Sequence, residues 1–279
     1  MRALEAPFVV FLHYMDVHSP YRPPKGFNRF ASDKRSVRVL KDLGQRGFLG
    51  LQRAIREGTL ELSPEYRARL VDLYDDEVLA MDAKVGELVA AVRERHPDTV
   101  FVVTADHGEE FLEHGGIGHA ETLYDEVLRV PLIVAGPGVA KGVRVPALVS
   151  LADVVPTVLD VLAAPVPAGL DGQSLAGALR GETLERDDAV VALQTSSHDG
   201  KQALRGVRAT ARKLLHDDLR GRRELYDLEH DPDERTNLLP ATTDERLARA
   251  LERLVPPETV AAPSPDPQTV ESLKALGYL

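Results

Sequence analysis

The chain has 279 residues, enough for one large domain or a domain with a smaller companion, and 43% of them are hydrophobic, as in a globular protein. A net charge of −10 leaves no basic footprint for nucleic acid, and no apolar run is long enough to span a bilayer. The absence of cysteine excludes disulfides and thiolate zinc sites.

The first predicted element is a buried strand over Ala6–Tyr14, a continuous apolar run. The residues before it lack the pattern of a signal peptide, so the sequence does not assign a compartment. A polar, proline-rich loop over Asp16–Pro24 follows the strand and contains His18.

A long helix is predicted to begin at Ser63, where serine is the N-cap and Pro64 takes the first helical position. Apolar residues then recur every three or four positions and predict a stripe that packs on a sheet. The stripe comprises Leu70, Tyr74, Val78, Met81, Val85, Leu88 and Val92. The acidic run Asp75-Asp76-Glu77 lies in the middle of this helix and is interpreted as part of its solvent-exposed face.

The strongest chemical signal is the end of the apolar run Thr99–Ala105, which predicts a buried strand of a parallel sheet. Asp106, His107 and Gly108 follow it directly, and ligands of open α/β sheets lie beyond the carboxyl ends of strands. A carboxylate beside an imidazole suits a divalent metal, so Asp106 and His107 are predicted metal ligands. Oxygen ligands favour calcium or magnesium, while the imidazole makes zinc or manganese plausible. Gly108 is expected to let the backbone turn away tightly.

Strands and helices alternate up to about residue 180, which predicts an α/β fold with a parallel sheet between helices. The later strands are joined by short turns and predict a small antiparallel sheet with a flanking helix. The predicted domains are therefore 1–180 for the α/β unit and 181–255 for the small antiparallel α+β subdomain. Residues 256–279 are predicted to be a proline-rich linker and a docking C-terminal helix.

Five motifs in chain order resemble the C-terminal half of a sulfatase of the alkaline phosphatase superfamily. They are HSPY from His18, ADHGEEFLEHG, LYDEVLRVPLIVAGPG, ELYDLEHDPDERTNL and the closing LKALGYL. The resemblance implies a partial α/β/α sandwich of the alkaline-phosphatase type. It also implies the hydrolysis of sulfuric esters with the help of one divalent metal ion, for which calcium is the first choice. The implied substrate is a small-molecule or glycan sulfate ester, or a phosphate ester. Family members are often exported.

The resemblance also implies roles for two further histidines. His18 occupies the motif position that faces the substrate near the leaving oxygen, and His119 lies 13 residues after Asp106 (119 − 106 = 13), where many sulfatases have a lysine that contacts the sulfate. Both are predicted to bind substrate and act in catalysis. Related phosphoethanolamine transferases have a histidine at the position of His119. His114 is interpreted as structural.

The nucleophile expected of the family is missing. A sulfatase makes formylglycine within a Cys/Ser-x-Pro/Ala-x-Arg signature in its N-terminal half, and neither that signature nor the N-terminal acidic metal ligands occur here. We therefore expect a fragment, with a separate N-terminal half as a possible partner. Two alternatives to a sulfatase remain open at this point. One is a metal-dependent phosphodiesterase, phosphonate hydrolase or phosphoethanolamine-type transferase of the same superfamily, and the other is a catalytically inactive remnant.

Overall fold

The computed structural model describes residues 8–32, 39, 47–119, 121–184, 186, 191–196 and 203–254. Within these ranges, none of the helices combines the length and the apolar character that crossing a membrane requires. The predicted linker and terminal helix of residues 256–279 lie outside the described residues.

In the described part of the chain, the helices α1 (Phe48–Arg56) and α2 (Pro64–Arg95) precede the sheet that carries the predicted metal ligands. The predicted start of α2 is confirmed, because the Ser63 side chain accepts a hydrogen bond from the Tyr66 amide at 3.2 Å. The predicted stripe is only partly right. Leu70 is buried, but Val78 is 42% exposed, and Leu73, from outside the stripe, is buried instead. The buried residues of α2 are therefore the ones that the loops packed on its N-terminal half cover.

Strand β1 spans Phe101–Thr104 and pairs with β4, Leu132–Ala135. The pairing is antiparallel, with Phe101 opposite Ala135, whereas the sequence predicted a parallel sheet around β1. Val103 and Ile133 are 37% and 57% exposed, so the expected full burial of this strand is also wrong in the described part of the chain. A two-stranded sheet cannot cover both of its faces.

The predicted strand at Ala6–Tyr14 is not observed over residues 8–14, which form no regular secondary structure. Phe11 is 87% exposed and Val9 is 64% exposed. An apolar run becomes a buried strand only when a neighbouring strand satisfies its backbone and a packed layer covers its side chains, and the described residues provide neither here.

Short elements connect β1 to the C-terminal part of the chain. They are β2 (Glu110–Phe111), β3 (Ile117–Gly118), α3 (Asp125–Leu128), a 3₁₀ turn (Leu151–Asp153), α4 (Val154–Val161) and α5 (Ala176–Leu179). Strands β2 and β3 form an antiparallel hairpin. Ser150 and Asp153 together form a capping box around the 3₁₀ turn, and Asp153, although it is the N-cap residue of α4, makes no side-chain cap bond to that helix.

The predicted small antiparallel sheet is confirmed, with strand order β5-β6-β7-β8. Its strands are β5 (Val191–Ser196), β6 (Ala203–Arg208), β7 (Arg212–Asp217) and β8 (Arg222–Asp227), and α6 (Glu245–Arg253) follows. Leu247 and Leu251 of α6 pack with Val207, Leu214 and Leu225 of this sheet in one apolar cluster. A second cluster centres on Tyr21, Phe48, Leu70, Leu73 and Phe111 beneath the predicted site.

Candidate functional site

The predicted metal ligands lie directly beyond β1. Gly108 holds this segment against α3, because its amide donates to the Val127 carbonyl at 2.7 Å. A Cβ at Gly108 would lie 2.1 Å from the Glu126 carbonyl oxygen. The glycine is thus required by close backbone approach, and not by the tight turn that the sequence suggested.

Three of the four predicted site residues bring their imidazoles together. The ring of His119 stacks on that of His107, with centroids 3.8 Å apart and planes 24° apart. The ring of His18 meets that of His119 edge-on at 5.1 Å. Asp106 adjoins this group through His107: its Oδ1 lies 3.8 Å from His107 Nε2, and its side chain is 65% exposed.

Each of these rings has an acceptor at Nδ1. His107 Nδ1 lies 2.8 Å from the Gly108 carbonyl oxygen, and His18 Nδ1 lies 2.7 Å from that of Ser19. His119 Nδ1 lies 2.9 Å from Glu109 Oε1. Since carbonyl and carboxylate oxygens only accept, each Nδ1 carries a proton, and Nε2 is the nitrogen that can bind a metal or exchange a proton. Metal-binding and catalytic histidines are commonly oriented in this way.

The loop that carries His18 is fastened to α2 by two buried carboxylates. Asp76 accepts from the amides of Phe30 and Ala31, each at 2.9 Å, and Glu77 accepts from the amides of Val17, at 2.9 Å, and Arg22. The expected solvated face is therefore wrong for Asp76 and Glu77. Burial raises the pKa of Glu77, although these two amide bonds oppose the shift.

Glu109 is a candidate site residue that the sequence did not indicate. It is buried, and its Oε2 accepts from the Tyr21 hydroxyl at 2.8 Å while its Oε1 faces His119. Burial, and then the charge of Glu109, raise the pKa of Tyr21, which therefore stays protonated and donates. The first glutamate after Asp-His-Gly was the available signal, but its partner Tyr21 is 88 residues away.

The β2–β3 hairpin positions His119 at its end. Arg67 of α2 binds Glu113 at 2.7 Å and also donates to the Phe111 carbonyl. Gln52 of α1 donates to the carbonyls of Ile117 at 3.0 Å and His119 at 3.4 Å. Both helices therefore hold the hairpin that presents His119.

His114 lies in the same hairpin but takes part in a different network. Its Nδ1 is 2.6 Å from Glu126 Oε1, and its Nε2 is 3.1 Å from the Glu234 carbonyl oxygen. Both partners only accept, so the ring is held as an imidazolium, stacked on Tyr124 with centroids 3.6 Å apart. Burial opposes this charge, but the bonds to Glu126 and Glu234 prevail and raise the pKa of His114.

The donor set at Asp106 and His107 fits a divalent metal. One carboxylate oxygen and one imidazole nitrogen 3.8 Å apart can share an ion at bond lengths of about 2.0–2.6 Å. Within the described ranges, the group of three candidate ligands that lies close enough together is Asp227, Glu229 and His230, at the end of β8 and in the turn that follows it. Asp227 Oδ1 there already accepts from the amides of Glu229 and His230, an arrangement typical of a turn.

Comparison with protein families gives two matches. Residues 1–164 match the Sulfatase family, and residues 98–258 match the C-terminal part of N-sulphoglucosamine sulphohydrolase. Human arylsulfatase K is 32% identical over 168 residues, which is 56% of this chain and 31% of that enzyme. A Δ4,5-hexuronate-2-O-sulfatase of Bacteroides thetaiotaomicron is 35% identical over 146 residues, or 50% of this chain and 30% of that enzyme.

Solved structures share the fold. A protein assigned to the sulfatases from B. thetaiotaomicron aligns with a TM-score of 0.63 at 24% identity, covering 90% of this chain and 52% of that one. An enzyme solved with D-glucosamine-2-N,6-O-disulfate gives 0.59 at 22% identity over 84% and 51%. A phosphonate monoester hydrolase of Silicibacter pomeroyi gives 0.59 at 25% identity over 78% and 43%. The chain thus spans about half the length of these structures, and less of the curated relatives.

Proposed function

This chain belongs to the sulfatase family, and from that premise we propose that it supplies the metal-binding and leaving-group side of a sulfuric ester hydrolase. The observation that carries the proposal is the meeting of the His18, His107 and His119 rings beside Asp106. The chain spans about half of its solved relatives, so activity, substrate and partners are all part of the proposal.

Members of this family generally depend on a metal ion, and we assign Asp106 and His107 as its ligands in this chain. The ion, for which calcium is the first choice, would lower the pKa of the nucleophile and offset the negative charge of the transferred group. His107 is ready for this role because the Gly108 carbonyl fixes the proton on Nδ1 and leaves the lone pair on Nε2. Two ligands are an incomplete shell, so we propose that further carboxylates come from another part of the family fold.

The leaving oxygen needs a proton, and His18 and His119 are placed to provide it. Their rings are adjacent, and both keep Nδ1 protonated through fixed acceptors. Nε2 is therefore the nitrogen that takes up a second proton, and the resulting imidazolium binds the anion or delivers that proton to the leaving oxygen. Imidazole suits this work near neutral pH. His18 and His119 are therefore proposed as the catalytic and substrate-binding residues.

The proposed substrate is a small-molecule or glycan sulfate ester. The support is the name of the hexuronate-2-O-sulfatase and the disulfated glucosamine bound in a structural relative. Asp106 is largely exposed, which leaves the proposed metal position open to a bulky ester.

We further propose that the nucleophile is supplied from outside these 279 residues, because the Cys/Ser-x-Pro/Ala-x-Arg signature is absent from the sequence. The proposed organisation keeps residues 1–180 as the α/β unit, 181–255 as the small subdomain, and 256–279 as linker and docking helix. An inactive remnant is the outcome to be expected if no nucleophile-bearing part exists.

A second candidate function is favoured by His119 itself. Histidine replaces the lysine of many sulfatases at this position, and a phosphonate monoester hydrolase shares the fold at 25% identity. Hydrolysis of a phosphonate or phosphate diester, or transfer of a phosphoethanolamine-type group, would use the same metal ligands and the same two histidines.

The deciding experiment compares 4-nitrophenyl sulfate with a phosphonate monoester. It requires protein that includes the nucleophile, either from the coding sequence upstream or from a co-expressed part. We expect greater kcat/KM for the sulfate, lost on chelation and in Asp106→Ala. Greater kcat/KM for the phosphonate would establish the second candidate, and no turnover of either ester would leave the inactive remnant.

A further inference from the structure

Glu109 lies between His119, one of the two proposed proton donors, and Tyr21 of the loop that carries the other, His18. Its carboxylate is buried, with one oxygen 2.9 Å from His119 Nδ1 and the other 2.8 Å from the Tyr21 hydroxyl. Its own backbone amide donates to the Glu126 carbonyl at 3.0 Å. The carboxylate thus has a fixed location and a donor on each side.

Tyr21 is as tightly held as Glu109. It is fully buried, and its ring contacts those of Phe48, Tyr74 and Phe111 at centroid distances of 5.6 to 5.8 Å. It lies three residues after His18 in the loop that Glu77 fastens to α2. One carboxylate is therefore connected to His119 directly and to the His18 loop through Tyr21.

We propose that Glu109 is the positioning residue for His119 in the proposed reaction, holding it with a proton on Nδ1 and with Nε2 as its reactive nitrogen, and that through Tyr21 it also anchors the loop that carries His18. An ionised carboxylate can only accept, and Tyr21 occupies its other oxygen, so His119 must donate from Nδ1. Glu109 does not need to touch the substrate. This role rests on the proposed function for its catalytic consequence, but the tautomer itself exists without turnover.

The hydrogen-bond pattern predicts a reversal in Glu109→Gln. The Tyr21 hydroxyl still needs an acceptor, so it takes the amide oxygen, and the amide NH₂ then faces His119. His119 can satisfy that donor only if Nδ1 loses its proton and Nε2 gains it. In the double variant Tyr21→Phe/Glu109→Gln the amide can turn round, and the proton returns to Nδ1.

The test reads the imidazole nitrogens of the full chain by ¹⁵N–¹H long-range correlation NMR at about pH 9, well above the ordinary imidazole range. We expect His119 protonated on Nδ1 in the wild type, on Nε2 in Glu109→Gln, and on Nδ1 again in the double variant. Glu182→Gln is the matched control, since it removes one negative charge from an exposed ion pair with Arg180 and should leave His119 unchanged. A wild type protonated on Nε2, or an unchanged tautomer in Glu109→Gln, would overturn the proposal.

Turnover provides the second measurement where the nucleophile is present. Loss of an orienting partner costs about 10- to 100-fold in activity, so Glu109→Gln should lower kcat by that factor for poor leaving groups, with KM nearly unchanged. The loss should be much smaller for nitrophenyl esters, which need no proton. An equal loss for both would overturn the positioning role. Absence of any wild-type turnover would instead count against the proposed function, because the NMR result does not depend on it.

Discussion

His18 and His119 reach the same place from distant parts of the chain, and their rings lie 5.1 Å apart. We predict that His18→Ala and His119→Ala each lower turnover by about 10²- to 10⁴-fold for alkyl esters, the usual contribution of a positioned acid. The loss should be smaller for nitrophenyl esters, measured by steady-state kinetics on the complete enzyme. A loss that is independent of the leaving group would leave only anion binding.

Gly108 offers a residue-scale test of packing. An alanine Cβ there would lie 2.1 Å from the Glu126 carbonyl oxygen, a backbone atom that cannot move without displacing α3. Overpacking of this kind costs about 1–3 kcal/mol or more, so Gly108→Ala should lower the free energy of unfolding in urea.

Gly86→Ala is the matched control for that measurement. Gly86 lies within α2, where nothing is within 4 Å of the position that an alanine methyl group would take. Alanine is favoured over glycine in a helix by about 1 kcal/mol, so the control should gain stability. Equal effects of the two substitutions would contradict the close approach at Gly108.

The sequence indicates candidate site residues whose signal is local, and it does not indicate those whose partners are distant. Asp106 and His107 follow an apolar run, which is visible in the sequence itself. Glu109 resembles any polar residue after a strand until Tyr21 is brought to it by the fold. A buried carboxylate is only tolerable with donors, and those donors are long-range.

At the scale of elements, α2 is the support for the His18 loop. Glu77 is buried and accepts the amides of Val17 and Arg22, so its removal leaves two backbone N–H groups without that acceptor. We predict that Glu77→Ala destabilises the fold by about 1–3 kcal/mol for each orphaned group. It should also speed hydrogen exchange at those two amides.

Asp82→Ala, on the exposed face of the same helix, provides the control. It also truncates an acidic side chain to a methyl group, but at a solvent-exposed position. It should leave amide exchange in the His18 loop unchanged. If Val17 and Arg22 exchange equally fast in both variants, Glu77 does not hold the loop.

The start of α2 and the order of the later strands were predictable from caps, proline and turn residues. The burial of Asp76 and Glu77 was not, because the helical period assigns a face but does not say which loop packs on it. The direction of the β1–β4 pair was likewise unpredictable, since an apolar run has the same pattern in either direction.

At the scale of the whole molecule, His114 connects the β2–β3 hairpin to the turn after β8. Glu126, the Glu234 carbonyl and the ring of Tyr124 contact it, and Glu110 accepts its backbone amide. The raised pKa of His114 stabilises the fold fully below the ordinary imidazole value, and this contribution is lost as pH rises through the folded pKa.

We therefore predict that the free energy of unfolding of the wild type falls as pH rises from about 6.5. In His114→Gln the free energy of unfolding should fall less over the same range. Urea unfolding at a series of pH values measures both slopes. His230→Gln, at an 82% exposed side chain, is the control and should keep the wild-type slope. A wild-type slope in His114→Gln would show that this imidazolium does not stabilise the contact.

The α/β class and the small antiparallel sheet followed from the order of elements, and the family match confirms the resemblance. The sequence could not show whether another layer of structure packs on β1 and β4. Val103 and Ile133 of these strands are exposed. Burial depends on which layers meet, and a single strand's composition records only that it is apolar.

The most direct measurement of the central claim is a calcium titration of the full chain followed by NMR shifts of the Asp106 and His107 signals. We predict weak, saturable binding at these residues that is lost in Asp106→Ala and retained in Asp227→Asn, which alters the group of candidate ligands at the end of β8. Binding that survives Asp106→Ala but disappears in Asp227→Asn would place the metal elsewhere and contradict the proposed site.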